Sequence, residues 1–427
     1  MEKHQQIIHI PRRFVIKEWG GSETFITEIS TRLNNLGYSA KILTTKALCK
    51  TPRETFRGIA IERYTYFYPY IGLSGKAKNL LDKKAGNLFS FSIMRALKKE
   101  KTIDIIHLHT GKRLGGIGRY IAGKRGIPYV ISLHGGQLAV PKDEQDTWTE
   151  PTKKHPEWGK ILGLWVGSRR VLDDAAAIIC VGKDEYTAIS KRYPDKLVEY
   201  LPNGVDIERF SYSKDGDSSL QAQLFRKKYS IPDNRFLCLT TARIDVQKNQ
   251  LGLVFQLEQL VREIPDVHLL FIGAVTNSDY LKKITNQLEK AALADHCTII
   301  PGIPYNDPDL IAAYHAADSF ILPSLHEPFG MVVLEAWAAG IPTAASRRGG
   351  LPTIITHEEN GLLFDPEADY VDSDSIGSAI KRLYTEKELR EKMAQTGKTA
   401  AISSYSWDAI ATKLIDIYRR VRAHSIR

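Results

Sequence analysis

The chain has 427 residues, 43% apolar and 25% charged, which suits folded cores but exceeds one of ordinary size, so two domains of roughly 200 residues are expected. No run reaches the ~18 uncharged apolar residues of a membrane span, MEKHQQIIHIP is too short for a secretory signal, and Cys49, Cys180, Cys238 and Cys297 lack CxxC spacing, so secreted, spanning and disulfide-stapled classes are set aside and a cytoplasmic location is expected. The net charge of +10 is uneven: residues 1–200 carry 34 Lys and Arg against 20 Asp and Glu, residues 201–427 carry 25 against 29, and the basic half should meet an anionic partner.

Along the first half, β-rich apolar runs at 6–11, 39–45, 59–65, 103–109, 128–134 and 176–182 alternate with amphipathic stretches. The first helix is expected over 22–36, with Ser22 as N-cap, Phe25, Ile26, Ile29, Leu33 and Leu36 at helical spacing, and Gly37 as its stop. Further helices are expected near 78–100, 114–125, 158–173 and 184–192. In the second half, strands at 236–242, 267–273, 297–302, 319–324 and 341–346 are separated by helices near 248–263, 279–294, 308–316 and 331–340. Cys180 and Cys238 fall within strand runs and read as reduced core residues. A final helix over 404–421 carries Trp407, Ile410, Leu414, Ile417 and Tyr418 on one face, which needs a surface to cover.

Such alternation, with near-continuous apolar strands, means parallel sheets covered by helices on both faces. It occurs twice, and LPNGVDIERF (201–210) is the joint. The expected fold is α/β: two Rossmann-like, doubly wound domains, 1–203 and 204–405, facing across a cleft, with 406–427 as a helix returning to the first. Ligands of such sheets bind beyond the carboxyl ends of the strands.

The segment PSLHEPFGMVVLEAWAAGIPTAASRRGGLP (323–352) carries the most chemistry. Pro328 and Gly330 keep Glu327 out of a regular helix, so its carboxylate belongs to a loop at the end of strand 319–324. The chain turns helical at Met331, and Glu335 lies about 6 Å further along the axis. Backbone N–H groups of Phe329, Gly330 and Met331 would face an anion between the two carboxylates. A phosphate between two hydroxyl-binding carboxylates describes a nucleotide sugar. The bland alternative is a strand–turn–helix with exposed or capping glutamates.

On these residues the chain resembles the GT-B glycosyltransferases, specifically the retaining family 4 (glycosyl transferases group 1). EPFGMVVLE has that family's E-x7-E spacing, and the resemblance extends over nearly the whole sequence. TTARIDVQKN (240–249) is similar to its basic segment, which implies that Arg243 and Lys248 hold the donor diphosphate. WGGSETF (19–25) resembles its Gly-Gly loop, implying that Gly20 and Gly21 let backbone approach the phosphates. SLHGG (132–136) resembles its strand-end histidine, which implies His134 beside the reacting sugar. Ile303 resembles the position where backbone reads the base. The implied roles are Glu327 on sugar hydroxyls, with His134 as its catalytic companion, and Glu335 on the ribose. Two positions depart from the family pattern: Thr353 stands where a Glu is usual, and Lys183 where a Ser is usual. Lys183 is read as solvated.

His107 and His109 share a strand face and could be metal ligands, but no third ligand is evident nearby. The expectation is no metal and no cofactor, a UDP- or GDP-sugar being the donor substrate, with His109 lining the acceptor side or filling space. Residues 76–101 combine eight Lys and Arg with Phe89, Ile93 and Leu97 at helical spacing, behind the aromatic run YTYFYPY (64–70). That describes either a helix lying on an anionic membrane face or one whose stripe packs on its own domain. No nucleic-acid module is recognisable, and nucleic acid is not expected as a partner. The expected activity is transfer of a hexose-type sugar to a hydroxyl of a glycan or lipid-linked acceptor, with peripheral contact at the inner membrane face as an option. The alternative is a nucleotide-sugar 2-epimerase of the same architecture.

Overall fold

The computed structural model describes residues 5–16, 20–83, 86–134, 152, 155–211, 217–305 and 307–425. The chain divides into two compact units, Met1–Asn203 with Trp407–Arg427, and Gly204–Ser406. Each is built on its own sheet.

The first unit holds β1 (Gln6–Ile10), β2 (Ser39–Thr45), β3 (Arg53–Phe56), β4 (Ile59–Tyr64), β5 (Ile105–Leu108), β6 (Tyr129–Leu133), β7 (Ala177–Cys180) and β8 (Val198–Tyr200). They pair in the order β3-β4-β2-β1-β5-β6-β7-β8. All of these pairs are parallel except β3–β4. That edge hairpin turns through Arg57 (φ 48) and Gly58 (φ 76), the left-handed pair that matches the twist of its flanking strands. The sheet is therefore mixed at one edge, a feature not expected from the sequence. Side chains alternate across it. Ile8, Ile10, Ile106, Leu108 and Ile131 enter one core layer, while His9, His107 and Ser132 occupy the other face.

Helices Gly21–Asn35 and Trp407–Ser425 cover that second face. Trp407, Ile410, Leu414, Ile417 and Tyr418 are all buried, so the apolar stripe of the terminal helix finds its surface within the first unit. The helix near the N-terminus is capped by Gly20 in extended conformation, not by Ser22, which lies inside its first turn. No cap side chain bonds the first turn from position 20; the Gly20 carbonyl takes the first helical bond, from the Thr24 amide, and also accepts the Thr24 hydroxyl. Its end follows expectation. Gly37 (φ 83) donates to Asn34 O and Tyr38 to Leu33 O, the paired bonds of a Schellman stop.

Two long helices expected from periodicity are broken. The 78–100 stretch holds helices Gly75–Lys83 and Phe91–Lys99, the second capped by Ser90, whose hydroxyl accepts from Ile93 N. Phe89 pairs with Phe67 in an isolated bridge between them. Phe89, Ile93 and Leu97 are fully buried, so this stripe packs on its own domain. The 158–173 stretch is interrupted by Gly167 (φ 62) into helix Lys160–Trp165 and a single 3₁₀ turn, Ser168–Arg170.

The second unit holds β9 (Phe236–Thr241), β10 (Val267–Ile272), β11 (Cys297–Ile300), β12 (Ser319–Leu322), β13 (Thr343–Ser346) and β14 (Leu362–Phe364). The order is β11-β10-β9-β12-β13-β14, parallel throughout. Helices Gln250–Glu263, Ser278–Lys290 and Ile376–Thr385 bury Leu253, Leu257, Ile284 and Ile380 against it. Cys180 and Cys238 are buried and carry free thiols.

Candidate active site

Among the parallel strands the order reverses once in each sheet, between β1 and β5 and between β9 and β12. At such switch points the loops leaving neighbouring strands diverge to opposite faces and open a crevice at the carboxyl ends. Most of the residues singled out from the sequence lie at or beside these points, one group in each unit, whereas Ile303 follows the edge strand β11.

In the second unit the loop after β9 carries Arg243 and Lys248, and the loop after β12 carries Glu327. A backbone bond from Leu325 N to Gln247 O (2.9 Å) ties the loops together. Lys248 ends a 3₁₀ turn capped by Asp245, and its Nζ lies 2.6 Å from Glu327 Oε2. Arg243 is half exposed and turned onto its own loop, 3.3 Å from Asp245 and donating to Gln247 Oε1 at 3.1 Å. Glu327 is held from below by glycines. Gly350 N donates to Glu327 O, and at Gly349 (φ 58) a Cβ would stand 2.2 Å from that same oxygen. The pair 349–350 thus serves as a close backbone seat for Glu327, which explains its presence although Thr353 departs from the family pattern.

Gly330 (φ 94) turns the chain into helix Met331–Ala339, and among the described residues no side chain caps that helix. A Cβ at 330 would meet Leu351 Cδ2 at 2.6 Å. Phe329 is buried and anchors the turn, while Met331 is half-buried. Glu335, one turn in, accepts from the Tyr314 hydroxyl at 2.7 Å, and Thr241 Oγ1 lies 2.6 Å from that hydroxyl. Burial pushes the Glu335 carboxyl up to about 7, against the pull of Tyr314 and of Arg209. Arg209 lies over the Tyr305 ring at 3.8 Å and donates to Tyr305 O. Ile303 follows Gly302 (φ 88) at the end of β11, half-buried. The structure thus joins Lys248 to Glu327 directly, and gives Glu335 a separate network.

In the first unit, Gly20 is exposed at the start of helix Gly21–Asn35. Trp19 lies outside the described residues, as do Gly135 and Gly136. His134, just past β6, joins a chain of imidazoles: His134 Nε2 is 2.9 Å from His109 Nδ1, and His109 Nε2 is 3.0 Å from His9 Nδ1. His107 lies in register with His9 on the neighbouring strand. It bonds Tyr418 Oη (2.6 Å) and Ser132 Oγ (2.7 Å). Phe25 packs edge-on against His109 and His134. Burial lowers every one of these imidazoles, His9 to about 3 and His134 to about 4, so all four are neutral at pH 7.

His9 is the third histidine that the sequence did not reveal beside His107 and His109. Ring nitrogens of the three lie within 4.8 Å of one another. His107 and His109 are stacked, with centroids 4.2 Å apart and planes inclined by 27°. Lone pairs lie in ring planes, so stacked rings do not aim theirs at one point, and the nitrogens of His107 and His109 already serve hydrogen bonds. The arrangement is a hydrogen-bond chain and does not fit a metal cage. His109 sits inside that chain.

Comparison with known proteins agrees with this layout. The family described as Glycosyl transferases group 1 matches residues 221–400, and Glycosyltransferase Family 4 matches residues 19–209. An uncharacterized glycosyltransferase of Methanocaldococcus jannaschii is 30% identical over 338 residues, 74% of this chain and 75% of that protein. The chain belongs to the group 1, family 4 glycosyltransferases. A D-inositol 3-phosphate glycosyltransferase of Salinispora tropica is 28% identical over 415 residues, 93% of this chain and 80% of that one. Among solved structures, Anabaena HepE in complex with UDP and glucose superposes with a TM-score of 0.68 at 19% identity, covering 98% of this chain and 100% of that one, a likeness of GT-B fold.

This glycosyltransferase has site neighbours that motif spacing did not reveal. Tyr314 sits in an apolar helix, PDLIAAYHA, where an aromatic reads as core. His9 sits in QIIHI, where the alternation of Ile8 and Ile10 already placed it on the opposite face from the main core. Lys183 is exposed at the start of its helix.

Proposed function

We propose that this glycosyltransferase transfers a hexose-type sugar from a nucleoside diphosphate, with retention of configuration and without a metal, to a hydroxyl of a glycan or lipid-linked acceptor. One observation carries the reading: the Lys248–Glu327 pair at the β9/β12 switch point, beside the uncapped helix at Met331. The leaving group departs as a diphosphate, so the chemistry needs positive charge where negative charge grows. Lys248, Arg243, the amides at Phe329, Gly330 and Met331, and backbone at Gly20 and Gly21 supply it. Fixed side-chain cations can do what a divalent ion does elsewhere, which supports the metal-free reading. Glu327 holds hydroxyls of the transferred sugar, Glu335 the ribose, and Ile303 the base by its backbone. His134 hydrogen-bonds the sugar near its reacting carbon. Retention rests on the family resemblance and is taken as front-face departure and attack, without a covalent intermediate; a glycosyl adduct trapped on any side chain overturns that part.

HepE, in complex with UDP and glucose, supports the donor class. The reported families and relatives are transferases, which favours transfer over the epimerase alternative. Incubation with UDP- and GDP-sugars decides: nucleotide release with sugar on an added acceptor supports transfer, and a new epimer without nucleotide release overturns it.

A cytoplasmic enzyme with peripheral contact at the inner membrane face fits a lipid-linked acceptor. Among the described residues no helix is long and apolar enough to cross a membrane. In the first unit Trp158 stacks on Phe67, Phe67 on Phe91, and Phe91 meets Trp165, with Phe91, Trp158, Ile161, Leu164 and Trp165 exposed. That surface, not the buried 89–97 stripe, supports the contact. Absence of co-sedimentation with anionic vesicles removes it.

A further inference from the structure

The imidazole chain has a direction, and the direction bears on how His134 meets a substrate. Burial keeps His9, His109 and His134 neutral, so each ring has one N–H and one lone pair. His109 stands in the middle, giving one hydrogen bond and taking the other. Only two proton arrangements therefore satisfy both contacts. In one, His134 donates from Nε2 to His109, His109 donates from Nε2 to His9 Nδ1, and the His9 proton is left on Nε2. In the other, His9 donates from Nδ1, His109 donates from Nδ1, and His134 accepts at Nε2 and carries its own proton on Nδ1.

His9 Nε2 decides between them. It is buried, and among the described residues it has no hydrogen-bond partner. A proton there would be an orphaned buried donor, which proteins tolerate less readily than an under-used lone pair. His107 does not change this, because its nitrogens are engaged with Tyr418 and Ser132.

We propose that His9 and His109 are positioning residues that fix His134 in the Nδ1–H tautomer, with Nε2 held as an acceptor inside the chain. In water the Nε2–H form of a histidine side chain is the more populated, so the fold inverts the intrinsic preference. The atom His134 can offer a ligand is then a donor, suited to an oxygen lone pair of the sugar or of the developing leaving group, and not a base for the acceptor hydroxyl. This last step rests on the role given to His134 above; the tautomer itself does not.

Two-bond ¹H–¹⁵N correlation spectra of the full chain, labelled at its 12 histidines and assigned by subtraction with His134→Gln, read the tautomer directly. The expected result is a protonated Nδ1 and an unprotonated Nε2 on His134. A protonated Nε2 overturns the proposal. In His109→Phe, with His9→Phe as a second variant should the first fail to fold, His134 is expected to move toward the Nε2–H form, with roughly tenfold lower kcat/KM. An unchanged tautomer in a folded variant also overturns it. Undiminished sugar transfer by His134→Gln, alongside the expected wild-type spectrum, instead removes the role of His134 and leaves the tautomer standing.

Discussion

Lys248 Nζ lies 2.6 Å from Glu327 Oε2, with both side chains largely shielded from water. The two residues come from loops after different strands, and the Leu325–Gln247 backbone bond fixes their approach. Each thus sets the position and charge environment of the other. Glu327→Ala and Lys248→Ala should each lower turnover by about two orders of magnitude or more, the usual cost of a lost charged transition-state contact. Each single change also leaves its partner unpaired, at a cost of about 1–2 kcal/mol for a pair that keeps some solvent. Rates within a few-fold of wild type in both variants would end the assigned roles.

Glu335 should make stability fall as pH rises. Its folded value is near 7 against an ordinary 4.5, so between those values the folded protein holds the extra proton. The contribution is complete below about 4.5 and is lost as pH climbs through 7. Glu335→Gln cannot ionise, and should melt higher than wild type at pH 8 by the equivalent of about 1–3 kcal/mol, with a smaller gain at pH 5. Equal melting differences at both pH values would contradict the buried environment.

The histidine cluster acts in the opposite sense. Unfolded imidazoles protonate near their ordinary 6.5, whereas His9 does so only near 3 and His134 near 4. Between these limits the unfolded chain binds more protons, so this stability is complete above about 6.5 and declines on acidification toward 4. Each group adds up to about 1.4 kcal/mol per pH unit in that window. Denaturant midpoints should fall steadily from pH 7 to pH 5, and His9→Phe should flatten the slope. A variant slope as steep as wild type counts against it.

Glycine positions differ sharply in what they tolerate. At Gly349 a Cβ would sit 2.2 Å from Glu327 O with φ at 58, whereas at Gly340 (φ 78) the nearest atom is a flexible Lys398 carbon at 3.7 Å. Gly349→Ala should displace Glu327, costing roughly 2 kcal/mol or more in stability together with most of the activity. Gly340→Ala should cost about 1 kcal/mol for left-handed backbone alone, with activity kept. Comparable activity in the two variants would refute the seat assigned to Gly349.

The alternation of strands and helices made the two doubly wound sheets legible, because fully buried strands such as FLCLTT and VHLLFI read as continuous apolar runs. β3 (RETF) and β8 (VEY) lack the apolar runs that revealed four-residue strands such as β5 and β12, and β14 has only three residues. The broken helices have local causes, a capping Ser90 and a left-handed Gly167, that periodicity averages over. The Glu327–Glu335 segment was legible because spacing along one chain fixes it. The partner of Glu335, Tyr314, and the partner of His109, His9, were not: helix packing brings in the first and strand register the second, across separations that leave no local pattern.

The terminal helix supplies Tyr418 to His107 and buries Trp407 and Val421 within the first unit, yet the whole of the second unit precedes it in the sequence. During synthesis the amino-terminal sheet must wait, one face covered only by helix Gly21–Asn35, while some two hundred further residues are made. The order of translation and the order of completion are therefore reversed: the later-made half can close its core before the earlier one receives its last helix.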